Sequence, residues 1–115
     1  MSSISSVYMP KAIFYGSDSF KRLGVETRKL GTRALIISDK VMEGLGYVDQ
    51  CKILLNEVEI TYSTYLDIDS EPTDIFVDEA LKVLKQNKCD VIIALGGGSC
   101  IDTAKAVAVI ATNGG

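Results

Sequence analysis

The chain has 115 residues, 47% hydrophobic and 23% charged, and a net charge of −3 from 12 basic and 15 acidic residues. That length suits one domain with a real core, and the acidic balance argues against nucleic acid or an anionic membrane as partner, since both require concentrated positive charge. There is no histidine, so histidine acid–base catalysis and histidine metal ligation are excluded for this chain.

The first residues lack the basic start and apolar block of a secretory leader. The longest apolar run, Ala106 to Ala111, is far shorter than the ~20 residues of a membrane-spanning helix. Three widely spaced cysteines without a C-x-x-C pair indicate neither a disulfide framework nor a zinc site, and a cytoplasmic setting is expected.

In chain order, residues 1–11 are polar and aperiodic and read as an arm or edge segment. Ala12-Ile13-Phe14-Tyr15 is a short strand closed by Gly16. Ser17 or Ser19 caps a helix to about Leu30, with Phe20, Leu23 and Leu30 on its apolar side and Gly31 as its stop. Arg33 to Ser38 is a strand whose continuous apolar centre predicts burial on both faces. A loop with Gly44 and Gly46 follows, then a helix from Val48 to about Val58. Glu59 to Tyr65 alternates and predicts a less buried strand. From Thr73 runs an amphipathic helix with Phe76, Val77, Ala80, Leu81, Val83 and Leu84 inward. Asp90 to Leu95 is a buried strand, Gly96-Gly97-Gly98 a turn, and Ser99 to about Thr112 an almost wholly apolar helix that should be buried.

Strands alternate with helices and no hairpin signal interrupts them. The expected fold is therefore α/β, a three-layer, mostly parallel sheet with right-handed βαβ crossovers of Rossmann-like kind.

The glycine turn carries the chemistry. Glycines remove every Cβ, allow positive φ and let a ligand approach the backbone closely. The helix that follows offers free N–H groups and a positive dipole end, which suit a phosphate. Neither standard phosphate motif is met, because G-x-G-x-x-G and G-x-x-x-x-G-K-[ST] begun at Gly96 both require glycine where Ile101 stands. The bland alternative is a capping box of Ser99 and Asp102 around a plain turn. Three consecutive glycines carry an entropic cost that a plain turn does not need, which favours the ligand site.

Asp39 lies just past the carboxyl end of a predicted parallel strand, on the sheet edge where the turn must lie. A carboxylate there accepts hydrogen bonds from ribose hydroxyls and repels a 2′-phosphate. Asp67, Asp69, Glu71 and Asp74 read as a solvated turn, since a calcium loop begun at Asp67 requires glycine where Pro72 stands. Cys100, in the first turn of a helix, is either activated by the dipole or packed beneath the glycines, and the second reading is preferred. Lys105 either adds charge to a bound phosphate or extends past the apolar helix into solvent.

Gly96-Gly97-Gly98-Ser99-x-x-Asp102-x-Ala104-Lys105 resembles the G-G-G-S-x-x-D-x-A-K segment of the iron-containing, group III alcohol dehydrogenases of the dehydroquinate-synthase-like superfold. Weaker likenesses run through Ile13-Phe14-Tyr15-Gly16, Ala34 to Asp39, Glu71-Pro72-Thr73 and Asn113-Gly114. The resemblance implies an NAD-binding domain over residues 1–115, incomplete at its C-terminal side and followed in the family by a helical domain. By that resemblance Gly97, Gly98 and Ser99 contact the pyrophosphate, Asp102 lies near the nicotinamide, Asp39 meets the adenosine ribose and Pro72 borders the adenine. The family's metal, Fe²⁺ or another divalent ion such as Zn²⁺, is held by an Asp and three His of the later domain, so no metal ligand is expected here. The implied partners are NAD and, in the longer parent, an alcohol or aldehyde, with 115 residues alone inactive; apolar surface left by the truncated sheet and the apolar last helix predicts self-association as a homo-oligomer. The rival expectation is a free-standing α/β phosphate- or nucleotide-binding module without redox activity.

Overall fold

The computed structural model describes the backbone of residues 11–15 and, in full, residues 22–69 and 74–112. The elements are β1 (Lys11–Tyr15), α1 (Leu23–Leu30), β2 (Arg33–Asp39), α2 (Lys40–Gly44), α3 (Tyr47–Glu57), β3 (Thr61–Ile68), α4 (Asp74–Gln86), β4 (Val91–Leu95) and α5 (Gly98–Thr112). The expectations placed on Gly16, Ser17, Ser19, Phe20, Glu71, Pro72, Thr73 and Asn113-Gly114 lie outside the described residues.

The strands form one sheet in the order β1-β4-β2-β3, with every pairing parallel. The continuous apolar runs of β2 and β4 are divided by the pleat, because successive side chains leave a strand on opposite faces. Leu35, Ile37, Ile92 and Ala94 meet α4 and α5 through Ala80, Leu84, Cys100, Ala104 and Val107. Ala34, Ile36, Val91, Ile93 and Leu95 meet α1 and α3 through Leu23, Val48, Cys51 and Leu55. Helices therefore cover both faces, and the expected three-layer α/β class holds. Among the described residues β3 has one strand neighbour, and its residues are less buried than those of β2.

Connectivity places the site. From β2 the chain leaves through α3 on one face, whereas from β4 it leaves through α5 on the other. β2 and β4 are adjacent, so their carboxyl ends diverge and open a crevice between them, the switch point at which open α/β sheets take ligands.

Several local expectations are corrected. Leu30, seven residues from buried Leu23 and so on the same side of α1, is 41% exposed at the helix end. The expected loop at Gly44 is a short helix, because the Asp39 side chain accepts from Met42 N at 2.8 Å and caps it. The third strand runs from Thr61 to Ile68 rather than from Glu59 to Tyr65, since Glu59 takes φ +61 and turns the chain. α5 is buried along one side only, with Val109 58% exposed on the other. No helix among the described residues is long and apolar enough to cross a membrane.

α3 and α4 end alike. Ile60 N donates to Leu55 O and Cys89 N to Leu84 O, both at 2.9 Å, the closing bond of a Schellman turn. The residue that must turn left-handed is Glu59 in one and Lys88, at φ +53, in the other. Glycine is the unstrained choice at such a position. Lys88→Gly should therefore raise stability by up to about 1 kcal/mol, reduced by the extra freedom glycine gives the unfolded chain. Urea unfolding measures it, and a destabilised variant contradicts it.

Candidate functional site

The site is assembled at the carboxyl ends of β2 and β4. Ser38, fully buried, donates from Oγ to Leu95 O at 2.9 Å and fastens the last turns of the two strands together. Sequence reasoning missed it. The available signal was a single hydroxyl closing an apolar run, which when buried must find an acceptor.

The three glycines differ from one another. Gly96 alone has positive φ, at +125, and a Cβ there would stand 3.2 Å from Cys100 Sγ and 3.3 Å from Met42 Cγ. The backbone thus demands glycine at 96, and a Cβ there would also press on its neighbours. Gly97 and Gly98 lack positive φ, and a Cβ at either would have no described atom within 4 Å. The fold itself does not require them, so a cradle that a Cβ would fill stays open at the head of α5.

α5 begins at Gly98, one residue before the expected start, and Ile101 N donates to Gly97 O at 3.2 Å. Ser99 is therefore inside the first turn rather than at the cap position. Ser99 is half-buried, and its carbonyl accepts from Thr103 Oγ1 at 2.8 Å. Asp102 is exposed, four residues past Gly98 and so on the same side of the helix. Lys105 is exposed two turns into α5.

Asp39 lies beside the turn, as the sheet-edge reading expected. Its Oδ1 accepts from Met42 N and its Oδ2 from Cys100 Sγ at 3.5 Å. It also borders a cleft of about 480 Å³ lined by Asp39, Lys40, Val41, Asp67, Ile68 and Asp69. Within it Lys40 Nζ stands 3.8 Å from Asp67 Oδ1, and both side chains are well exposed, so the pair adds little stability. Asp67 is the penultimate residue of β3 rather than part of a free turn. A second cleft of about 420 Å³, bordered by Arg33, Thr61 and Cys89, lies at the opposite, amino-terminal end of the sheet. Gly97, Gly98, Ser99, Asp102 and Asp39 are thus gathered around one end of the sheet; Pro72 lies outside the described residues.

Cys100 is packed beneath the glycines, 1% exposed, and the dipole does not activate it. Burial first, and then the Asp39 carboxylate, push its thiol from 9.0 up to about 12. Burial raises Cys51 similarly, to about 12, with Lys52 pulling slightly the other way. Burial also raises Tyr65, whose hydroxyl donates to Glu79. The unfolded chain releases its thiol protons near 9.0, whereas the folded chain keeps them to about 12. Between those values the folded state binds more protons, so stability falls as pH rises. This contribution is fully present below 9.0 and is lost by about 12. Urea unfolding across that range should show a shallower decline in the Cys51→Ala/Cys100→Ala variant than in the parent, and parallel declines would contradict the assignment.

The residues present suit a dinucleotide: an open glycine cradle at a helix head, and a carboxylate one strand away at the same crevice. Residues 10–115 match the family model described as iron-containing alcohol dehydrogenase. Among curated relatives, the NAD-dependent methanol dehydrogenase of Bacillus methanolicus is 30% identical over 97% of this chain and 30% of its own length. Alcohol dehydrogenase 4 of Schizosaccharomyces pombe is 33% identical over 97% of this chain and 27% of its own length. Among solved structures, an archaeal halo-thermophilic alcohol dehydrogenase from a Red Sea brine pool is similar with a TM-score of 0.78 and 33% identity, over 92% of this chain and 26% of that one. The chain spans about 30% of the length of the curated relatives it matches. With the family model matched over nearly all its residues and the fold shared at this identity, the chain belongs to the iron-containing alcohol dehydrogenases.

Proposed function

We propose that this chain is the NAD-binding, N-terminal part of a dehydrogenase that moves a hydride between a small alcohol and NAD. The observation that carries the reading is the pair Gly97 and Gly98, where the fold leaves room for a Cβ and the sequence has none. A pyrophosphate seated there meets backbone without obstruction and lies at the positive end of α5. NAD, when bound, supplies the hydride acceptor; the residues of this chain bind and orient it.

Gly97, Gly98 and Ser99 take the pyrophosphate, and Asp102, one turn further along α5, takes the nicotinamide side. Asp39 takes the adenosine ribose. Its carboxylate has about four lone-pair sites, and the bonds from Met42 and Cys100 leave two for ribose hydroxyls. The same charge disfavours a 2′-phosphate. Pro72 is assigned to the adenine side on family resemblance alone. Among the described residues no group of three or more His, Cys, Asp or Glu is arranged to hold a metal ion. On family resemblance the divalent metal, iron or another, is assigned to a later helical domain, and the 115 residues alone are expected to bind NAD without oxidising alcohol.

Two substitutions test the reading by calorimetric titration. Gly98→Ala should have opposite effects on fold and ligand. It should stabilise the free chain by about 0.5–1 kcal/mol, because alanine favours a helical position. It should weaken NAD about tenfold, because the methyl occupies the cradle. Equal NAD affinity in both chains would remove the pyrophosphate from this turn. Asp39→Gly should weaken NAD and relax the exclusion of NADP; unchanged affinity for both would refute the ribose assignment. Preference for inorganic phosphate or ADP over NAD would favour a phosphate-binding module without redox activity.

A further inference from the structure

Asp39 is held from two sides by donors on different elements. Met42 N, in α2, reaches Oδ1, and Cys100 Sγ, in α5, reaches Oδ2. The Met42 bond is an ordinary helix cap and belongs to β2 and its own continuation. The Cys100 bond joins the strand carrying the carboxylate to the helix carrying the glycines. The same sulfur sits under the turn, 3.2 Å from where a Gly96 Cβ would be. One side chain, 1% exposed, therefore touches both halves of the crevice.

We propose that Cys100 is a positioning residue for nucleotide selection: its S–H holds the Oδ2 edge of Asp39, so that the carboxylate keeps a fixed spacing from the glycine turn and turns its remaining lone pairs to the ribose. The proposal rests on the assignment of Asp39 to the adenosine ribose made above. A thiol suits the task because it fills the space beneath Gly96 as a small apolar group while donating one weak hydrogen bond. It remains a donor throughout the neutral range, since burial keeps it protonated. Alanine would fill part of the space and donate nothing; serine would donate with a shorter reach.

Titration of the 115-residue chain with NAD and with NADP gives the ratio of dissociation constants, which a loss of packing alone would leave unchanged. Cys100→Ala should lower the preference for NAD by about three- to tenfold, the range for losing one weak donor to a charged acceptor. Cys100→Ser should recover most of it. An unchanged ratio in a Cys100→Ala chain that melts cooperatively would overturn the proposal. The hydrogen bond is checked without nucleotide, by the infrared S–H stretching band that Cys100→Ala abolishes. That band should move to higher frequency in Asp39→Ala, and an unmoved band would also overturn the proposal, even if Cys100→Ala failed to fold. A parent chain that discriminates, alongside an alanine variant that discriminates equally, defeats the positioning role alone. A parent chain that binds neither nucleotide defeats the ribose assignment and the selection role together, while the S–H band still reports whether the contact exists.

Discussion

β2 and β4 lie side by side and parallel, yet the chain leaves them toward opposite faces of the sheet. Two constraints follow. The carboxyl ends must separate, which opens a crevice, and something must keep them from separating too far. The buried hydroxyl of Ser38 on the Leu95 carbonyl supplies the second. Leu95 is the last residue before the glycines, so this bond also fixes where the turn begins. A buried carbonyl left without that donor would cost about 1–3 kcal/mol, which makes the clasp a strong determinant of local geometry.

The two ends of the sheet are built for different purposes. At the amino end, Asp90 accepts from Thr32 N at 3.2 Å and from Arg33 N at 2.9 Å, and Asp90 N donates to Arg33 O at 2.8 Å. That carboxylate is engaged in closing the entry to β2. At the carboxyl end, Asp39 has accepting capacity left, the head of α5 points its dipole outward, and two glycines stand where the fold tolerates a larger residue. This spare capacity at one end of the sheet is the ground on which the proposed ligand site is placed there.

Fold class was legible because the signals were periodic and redundant. The runs of β2 and β4 were too apolar for half-buried strands, and α4 showed its inward face residue by residue. Boundaries were less legible. α3 and α4 end on Glu59 and Lys88 in left-handed conformation, where no glycine announces the stop. α2 exists because of one cap on Asp39, a contact that a sequence read for glycines in the next segment does not reveal. At the site, the residues were found but not their division of labour. Three glycines look equivalent in sequence, yet Gly96 serves the backbone whereas Gly97 and Gly98 leave space. The contacts of Ser38 with Leu95 and of Cys100 with Asp39 join residues 57 and 61 positions apart, and no local pattern encodes them.

The central claim is that NAD binds at the carboxyl end of the sheet, across the β2–β4 crevice. Backbone amide resonances of the isotope-labelled chain, followed during addition of NAD, test it most directly. The account predicts that Gly97, Gly98, Ser99, Asp39 and Lys40 shift together and saturate with one constant, while Arg33, Thr61 and Lys88 at the far end stay in place. Shifts confined to the amino-terminal cleft, or none anywhere at saturating NAD, would contradict it.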